Sequence, residues 1–116
     1  MALTEDLQIY ADTYQLISRV IEVDRGICKI FKPTVGKKLT ETALELFGHI
    51  ETANRSTDTK KRAYQMEQFL IKKNLIVTLM RLCHDKGWVN HGLYSEVSYM
   101  LTTIGKQMTA WKNSEK

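Results

Sequence analysis

The chain has a single proline, two cysteines and six glycines in 116 residues, and it has no apolar run of the roughly 18 residues that a bilayer-spanning helix needs. The missing apolar run argues against a membrane partner. Cys28 and Cys83 lie within helical patterns and could in principle pair, but two thiols in a chain read as cytoplasmic are more often unpaired, buried, small apolar residues, and no disulfide is expected. The start, Met1-Ala-Leu-Thr-Glu-Asp6, is acidic and polar, unlike the basic-then-apolar start of a secretory signal. No alternating apolar run flanked by turn dipeptides suggests a strand. Catalytic patterns are missing as well. No serine lies in a nucleophile elbow, neither cysteine has an activating motif and no Glu-x-x-His pair is present. His49, His84 and His91 fit no zinc spacing, and His84 adjoins Cys83 instead of lying one turn away from it. The expectation is a noncatalytic protein with no metal and no cofactor.

What the chain does have is helical periodicity. Leu7, Tyr10, Tyr14, Ile17 and Ile21 recur at three-four spacing, with Thr4 as a candidate cap and an end between Gly26 and Lys32. The residue before Pro33 is disfavoured in helix, so a loop is expected there, with Thr34 capping the next element. Leu39, Ala43, Leu46, Phe47, Ile50 and Ala53 form the second stripe, and Gly48 inside it suggests close approach of another helix. Ser56, Thr57 or Asp58 can cap a long third helix. Its stripe Met66, Phe69, Leu70, Lys73, Ile76, Val77, Met80 and Cys83 is widened by Leu75, Leu79 and Leu82, which suggests contacts on two sides and hence oligomerisation. Gly87 and Asn90 read as a C-cap and an N-cap. Val97, Met100, Leu101, Ile104, Met108 and Trp111 make the fourth stripe. The expected architecture is all-α, an up-down-up-down antiparallel four-helix bundle in one domain over 1–116, with helices at roughly 5–30, 35–54, 58–85 and 91–112.

The formal net charge is +4, and it is unevenly spread. Residues 1–31 carry three bases against five acids, whereas residues 32–116 carry fourteen against eight. The one cluster with functional weight is Lys60-Lys61-Arg62, preceded by Arg55 and followed by Lys72, Lys73 and Arg81. Several cations on one surface attract phosphates by releasing condensed counterions, and a ring of subunits would repeat such contacts about an axis. Taken alone, a run of this size is usually just the solvated face of a helix.

Thr34-Val-Gly-Lys-Lys-Leu, Ala43-Leu-Glu-Leu and Ile50-Glu-Thr-Ala-Asn-Arg-Ser56 resemble the accessory variability determinant family of diversity-generating retroelements. So do Leu79-Met-Arg-Leu-Cys-His-Asp-Lys-Gly-Trp-Val-Asn90, Tyr94 and Ile104-Gly-Lys-Gln-Met-Thr-Ala-Trp111, in order and spacing. The wider four-helix-bundle superfamily includes proteins encoded in intervening sequences of bacterial 23S ribosomal RNA genes, whose second-helix signature residues 44–56 lack. The segment Gly26-Ile-Cys-Lys-Ile-Phe-Lys-Pro33 departs from the family's lysine-phenylalanine-proline link, so no contact of that link is carried over. The resemblance implies a homopentameric ring that associates with a reverse transcriptase and binds RNA or DNA, without sequence preference, through a basic surface. Its role would be to support mutagenic complementary-DNA synthesis and retrohoming. On charge and expected exposure, Arg55, Lys61, Arg62, Lys72, Lys73 and Arg81 are the candidate contacts. The alternative is an oligomeric scaffold of the intervening-sequence type with no nucleic-acid role.

Overall fold

Two short polar links set the architecture. The Asp58 carboxylate accepts hydrogen bonds from the amides of Lys60 (2.9 Å) and Lys61 (3.4 Å), and Asn90 accepts one from Leu93 (2.8 Å), so each satisfies donors that a helix start leaves orphaned. Gly87, at φ +75°, takes the left-handed position that ends the preceding helix. In the computed structural model, which describes residues 3–115, these signals delimit α1 (Gln8–Gly26), α2 (Lys37–Arg55), α3 (Thr59–Asp85) and α4 (His91–Ser114). Met1, Ala2 and Lys116 lie outside the described residues. Among the described residues there is no strand, and no helix is long and apolar enough to cross a membrane.

Links this short force antiparallel neighbours. α1 packs on α2 and α4, and α3 packs on the same two helices, which makes a four-helix bundle. At about 1.5 Å per residue the 27-residue α3 spans about 40 Å, and it sets the 43 Å long axis. The core is one continuous cluster that includes Leu16, Val20, Leu46, Ile50, Phe69, Ile76, Leu101 and Ile104.

The structure corrects several local expectations. In α1 the buried line is Ile9, Thr13, Leu16, Val20 and Val23, joined by Ile17, whereas Tyr14 and Ile21 are more than half exposed. The apolar arc of α1 is wider than one stripe, and the 7-10-14-17-21 line forms its edge against α2, where the Tyr10 ring lies 4.9 Å from that of Phe47. Thr4 does not cap α1. It begins a short 3-10 turn, and its hydroxyl accepts a hydrogen bond from the Asn54 amide (3.1 Å), which ties the chain start to the end of α2.

The link around Pro33 is helical, not a loop. A 3-10 turn, Lys29–Phe31, leads into a π turn, Lys32–Gly36, that continues directly into α2. Pro33 lies in the first positions of that turn, where its missing N–H breaks no hydrogen bond. The Thr34 hydroxyl donates back to the Phe31 carbonyl (3.2 Å), and Lys32 Nζ donates to the Asp24 carbonyl (3.1 Å) near the end of α1. Cys28, in the link, is exposed, whereas Cys83 is buried.

Gly48 brings no helix close. Among the described residues, no neighbouring element comes within 4 Å of where its Cβ would be. Gly48→Ala is therefore expected to stabilise the fold by about 0.5–1 kcal/mol through helix propensity alone, read as a higher urea midpoint at unchanged slope.

Across the α2–α3 seam, Glu45 forms an ion pair with Lys72, and His49 Nδ1 lies 2.7 Å from Gln65 Oε1. The hydrogen bond from Lys72 holds the Glu45 carboxyl below its ordinary range. With the folded value depressed, the contribution is present above the unfolded pKa of about 4.3 and is lost as pH falls through the folded value. The Glu45 side chain is 48% exposed, so solvent screening limits the effect. Glu45→Gln should cost about 0.5 kcal/mol at pH 7, and the difference in urea midpoint from wild type should vanish by pH 2.

Candidate nucleic-acid interface

Successive residues of an α-helix are rotated by about 100°, so Lys60, Lys61 and Arg62 point three ways from α3 and do not form one patch. Arg62 turns inward. Its Nη1 donates to the Ala53 carbonyl (2.8 Å) and the Ser56 carbonyl (3.0 Å), its Nη2 binds Glu115, and its guanidinium lies 5.8 Å from the centre of the Trp111 ring. With 19% of its side chain exposed, it ties the end of α2, the start of α3 and the end of α4 together. The planar fork thus serves the fold by satisfying carbonyls at the end of α2.

The other candidates separate by partner. Lys72 is half-buried and paired with Glu45, and Arg55 is exposed and paired with Glu51 (3.1 Å). Lys61 and Arg81 are exposed, Lys73 is half-buried, and none of these three has a carboxylate within ion-pair reach among the described residues. Lys60, Lys86 and Lys106 share that freedom. Lys106 is the informative omission from the sequence-based set. It lies far from the 60–62 cluster in sequence, yet it shares with Lys73 a solvent-open groove of about 520 Å³ between α3 and α4, lined also by Leu70, Gly105, Thr109 and Asn113. Its only sequence signal is that it follows Gly105.

Charge divides along the bundle. Residues 59–115 carry nine Lys or Arg against four Asp or Glu, while residues 3–58 carry seven against nine. The α3–α4 half is therefore basic, and the sequence-level excess over 32–116 narrows to these two helices and their turn. Arg19 adds nothing to the field, because it is bound by Glu96 (2.7 Å) and Glu22 (2.8 Å), which raise its pKa.

The histidines pack at the α3–α4 turn. His84 stacks on Tyr94 with centroids 4.2 Å apart and planes 18° apart, and His91 lies 5.7 Å from His84. Cys83, adjacent to His84, is buried, and burial first and the charge of Asp24 second push its thiol pKa up, away from a reactive thiolate. Among the described residues no three His, Cys, Asp or Glu side chains are grouped to hold a metal ion. The chain has no match among family models, curated proteins or solved structures.

Arg62→Ala should lower stability by about 2 kcal/mol by leaving the α2 carbonyls and Glu115 without their donor, and Arg62→Lys should recover less than half of that because a lysine cannot reproduce the fork. Thermal melts of the two variants check this, and an Arg62→Ala protein that melts like wild type would contradict it.

Proposed function

We propose that the chain is a noncatalytic nucleic-acid-binding subunit that serves a reverse transcriptase of a diversity-generating retroelement and works as a homopentameric ring. The observation that carries the nucleic-acid part is the set of cations on the α3–α4 half, Lys60, Lys61, Lys73, Arg81, Lys86 and Lys106, that no carboxylate neutralises among the described residues. Cations free of internal partners are available to phosphates, and they bind without reading sequence. The reverse-transcriptase partner rests on the resemblance of residues 34–113 to the accessory variability determinant family.

Two apolar surfaces support self-assembly. Tyr14, Ile21, Leu44 and Phe47 line a groove of about 310 Å³ between α1 and α2. On α3, Tyr64, Ile71 and Leu82 are exposed at spacings of seven and eleven, on the side away from the buried seam. Different patches on one subunit can meet head to tail, and such contacts close into rings when the rotation permits.

The second reading, an oligomeric scaffold of the intervening-sequence type, draws on the engagement of Arg55, Arg62 and Lys72 by Glu51, Glu115 and Glu45, which leaves half of the sequence-based candidates occupied. Light scattering followed by titration with labelled RNA and DNA at two salt concentrations separates the two. The nucleic-acid reading expects a pentamer whose log K falls with log salt by about 0.7–0.9 for each phosphate neutralised, and binding that Lys60→Glu with Lys61→Glu weakens. An assembly that ignores RNA and DNA at low salt supports the scaffold and sinks the accessory role.

A further inference from the structure

The inner seam of α3 runs through positions 66, 69, 73, 76, 80 and 83. Five of these are fully buried: Met66, Phe69, Ile76, Met80 and Cys83. The sixth is Lys73. A lysine at this register would ordinarily carry its ammonium outward on its stem, but here the chain end crosses α4 at Gly105. A Cβ at Gly105 would sit 3.1 Å from Lys73 Cε and 3.2 Å from its Nζ. The ammonium therefore lies against the α4 backbone, in the space that a side chain would fill.

No carboxylate is within ion-pair reach of Lys73 or Lys106 among the described residues, although both line the same groove. The nearest acid along α3, Glu67, is bound by Lys112. Lys73 is half-buried and Lys106 exposed, and both face one concavity in which no counterion is placed among the described residues. A single bound oxyanion would serve both cations. Neutral donors are available beside the lysines: the Thr109 hydroxyl and the Asn113 amide line the groove and have no hydrogen-bond partner among the described residues.

We propose that this groove seats a backbone phosphate of a nucleic-acid strand, with Lys73 and Lys106 neutralising it and Thr109 and Asn113 as hydrogen-bond donors. The identity of the ligand rests on the nucleic-acid reading above, whereas the oxyanion site rests on the groove alone. Because the groove is open to solvent, a polymer can continue past it on either side. Gly105 then sets how closely the ammonium can lie to α4, since a Cβ there would push the flexible end of Lys73 outward by a few tenths of an ångström.

The test uses three variants of the full chain, Gly105→Ala, Lys73→Gln and Lys106→Gln. Gly105→Ala preserves every charge. The added methyl meets only the flexible end of Lys73, and alanine is the better helix former, so the variant is expected to fold. Two readouts apply: amide chemical shifts of Gly105 and its neighbours during titration with inorganic phosphate, and anisotropy of a labelled single-stranded oligonucleotide across a salt series. The expected results are saturable phosphate shifts centred on Gly105 in wild type that weaken in Gly105→Ala and are lost in Lys73→Gln, and a salt slope lowered by about 1 in each lysine variant. Gly105→Ala should weaken oligonucleotide binding by less than either lysine variant, because it moves the ammonium without removing its charge.

If wild type binds the oligonucleotide but phosphate leaves Gly105 unshifted and all three variants bind like wild type, the groove proposal is overturned while the general nucleic-acid reading stands. If phosphate saturates the site but no oligonucleotide binds, the oxyanion site holds and the nucleic-acid ligand is wrong. Shifts spread evenly over all exposed lysines would also overturn the groove proposal.

Discussion

Lys73 occupies a place in α3 that the helix otherwise fills with apolar side chains, and α4 accommodates it with Gly105. Around that exchange the two helices share the buried core, and polar and aromatic contacts join them toward their ends. Arg62 with Glu115 and Glu67 with Lys112 bridge one end, and His84 stacked on Tyr94 joins the other. The groove between these fastenings is the opening that a lysine in a core register leaves when the facing helix contributes no side chain.

The electrostatics have the same origin. Cations that join helices cannot also attract a distant polyanion, because a nearby carboxylate cancels their field. Arg19, Arg62, Lys72 and Lys112 join neighbouring helices, whereas Lys60, Lys61, Lys73, Arg81, Lys86 and Lys106 have no such partner among the described residues. Counting bases along the chain treats both groups alike. Arg25, Lys29 and Lys38 are also without such a partner among the described residues, but they lie in the half where acids outnumber bases, so the net positive charge belongs to α3 and α4.

The exposed apolar side chains belong to the other half of the problem. The arc of α1 is too wide for its place in a four-helix core, so Tyr14 and Ile21 remain at the seam with α2, beside Leu44 and Phe47. α3 likewise carries apolar residues on its outer side. The α1–α2 groove shares neither a residue nor a helix with the groove at Lys73 and Lys106.

Helix number, order and type were legible in the amino-acid sequence because they depend on local periodicity and on caps such as Asp58, Gly87 and Asn90, whose chemistry acts within a few residues. The second and fourth core stripes were readable for the same reason, whereas the third was read too wide, since Val77 and Leu82 of that reading are exposed. The choice between adjacent stripes of α1 was not, since Ile9, Tyr10, Leu16 and Ile17 are all apolar and only the position of α2 and α4 selects among them. The link at Pro33 was misread because a proline rule describes one residue's backbone, while a π turn is a cooperative arrangement held by Lys32, Thr34 and the end of α1. Three adjacent cations at 60–62 looked like a site, yet their roles depend on what stands beside each one, and Lys106 gained significance only by facing Lys73 across 33 positions of chain. Composition and spacing therefore determined a basic helical bundle. Tertiary structure alone decided which charges are bound, which are free and where a glycine makes room, because pairing and clearance are properties of neighbours in space.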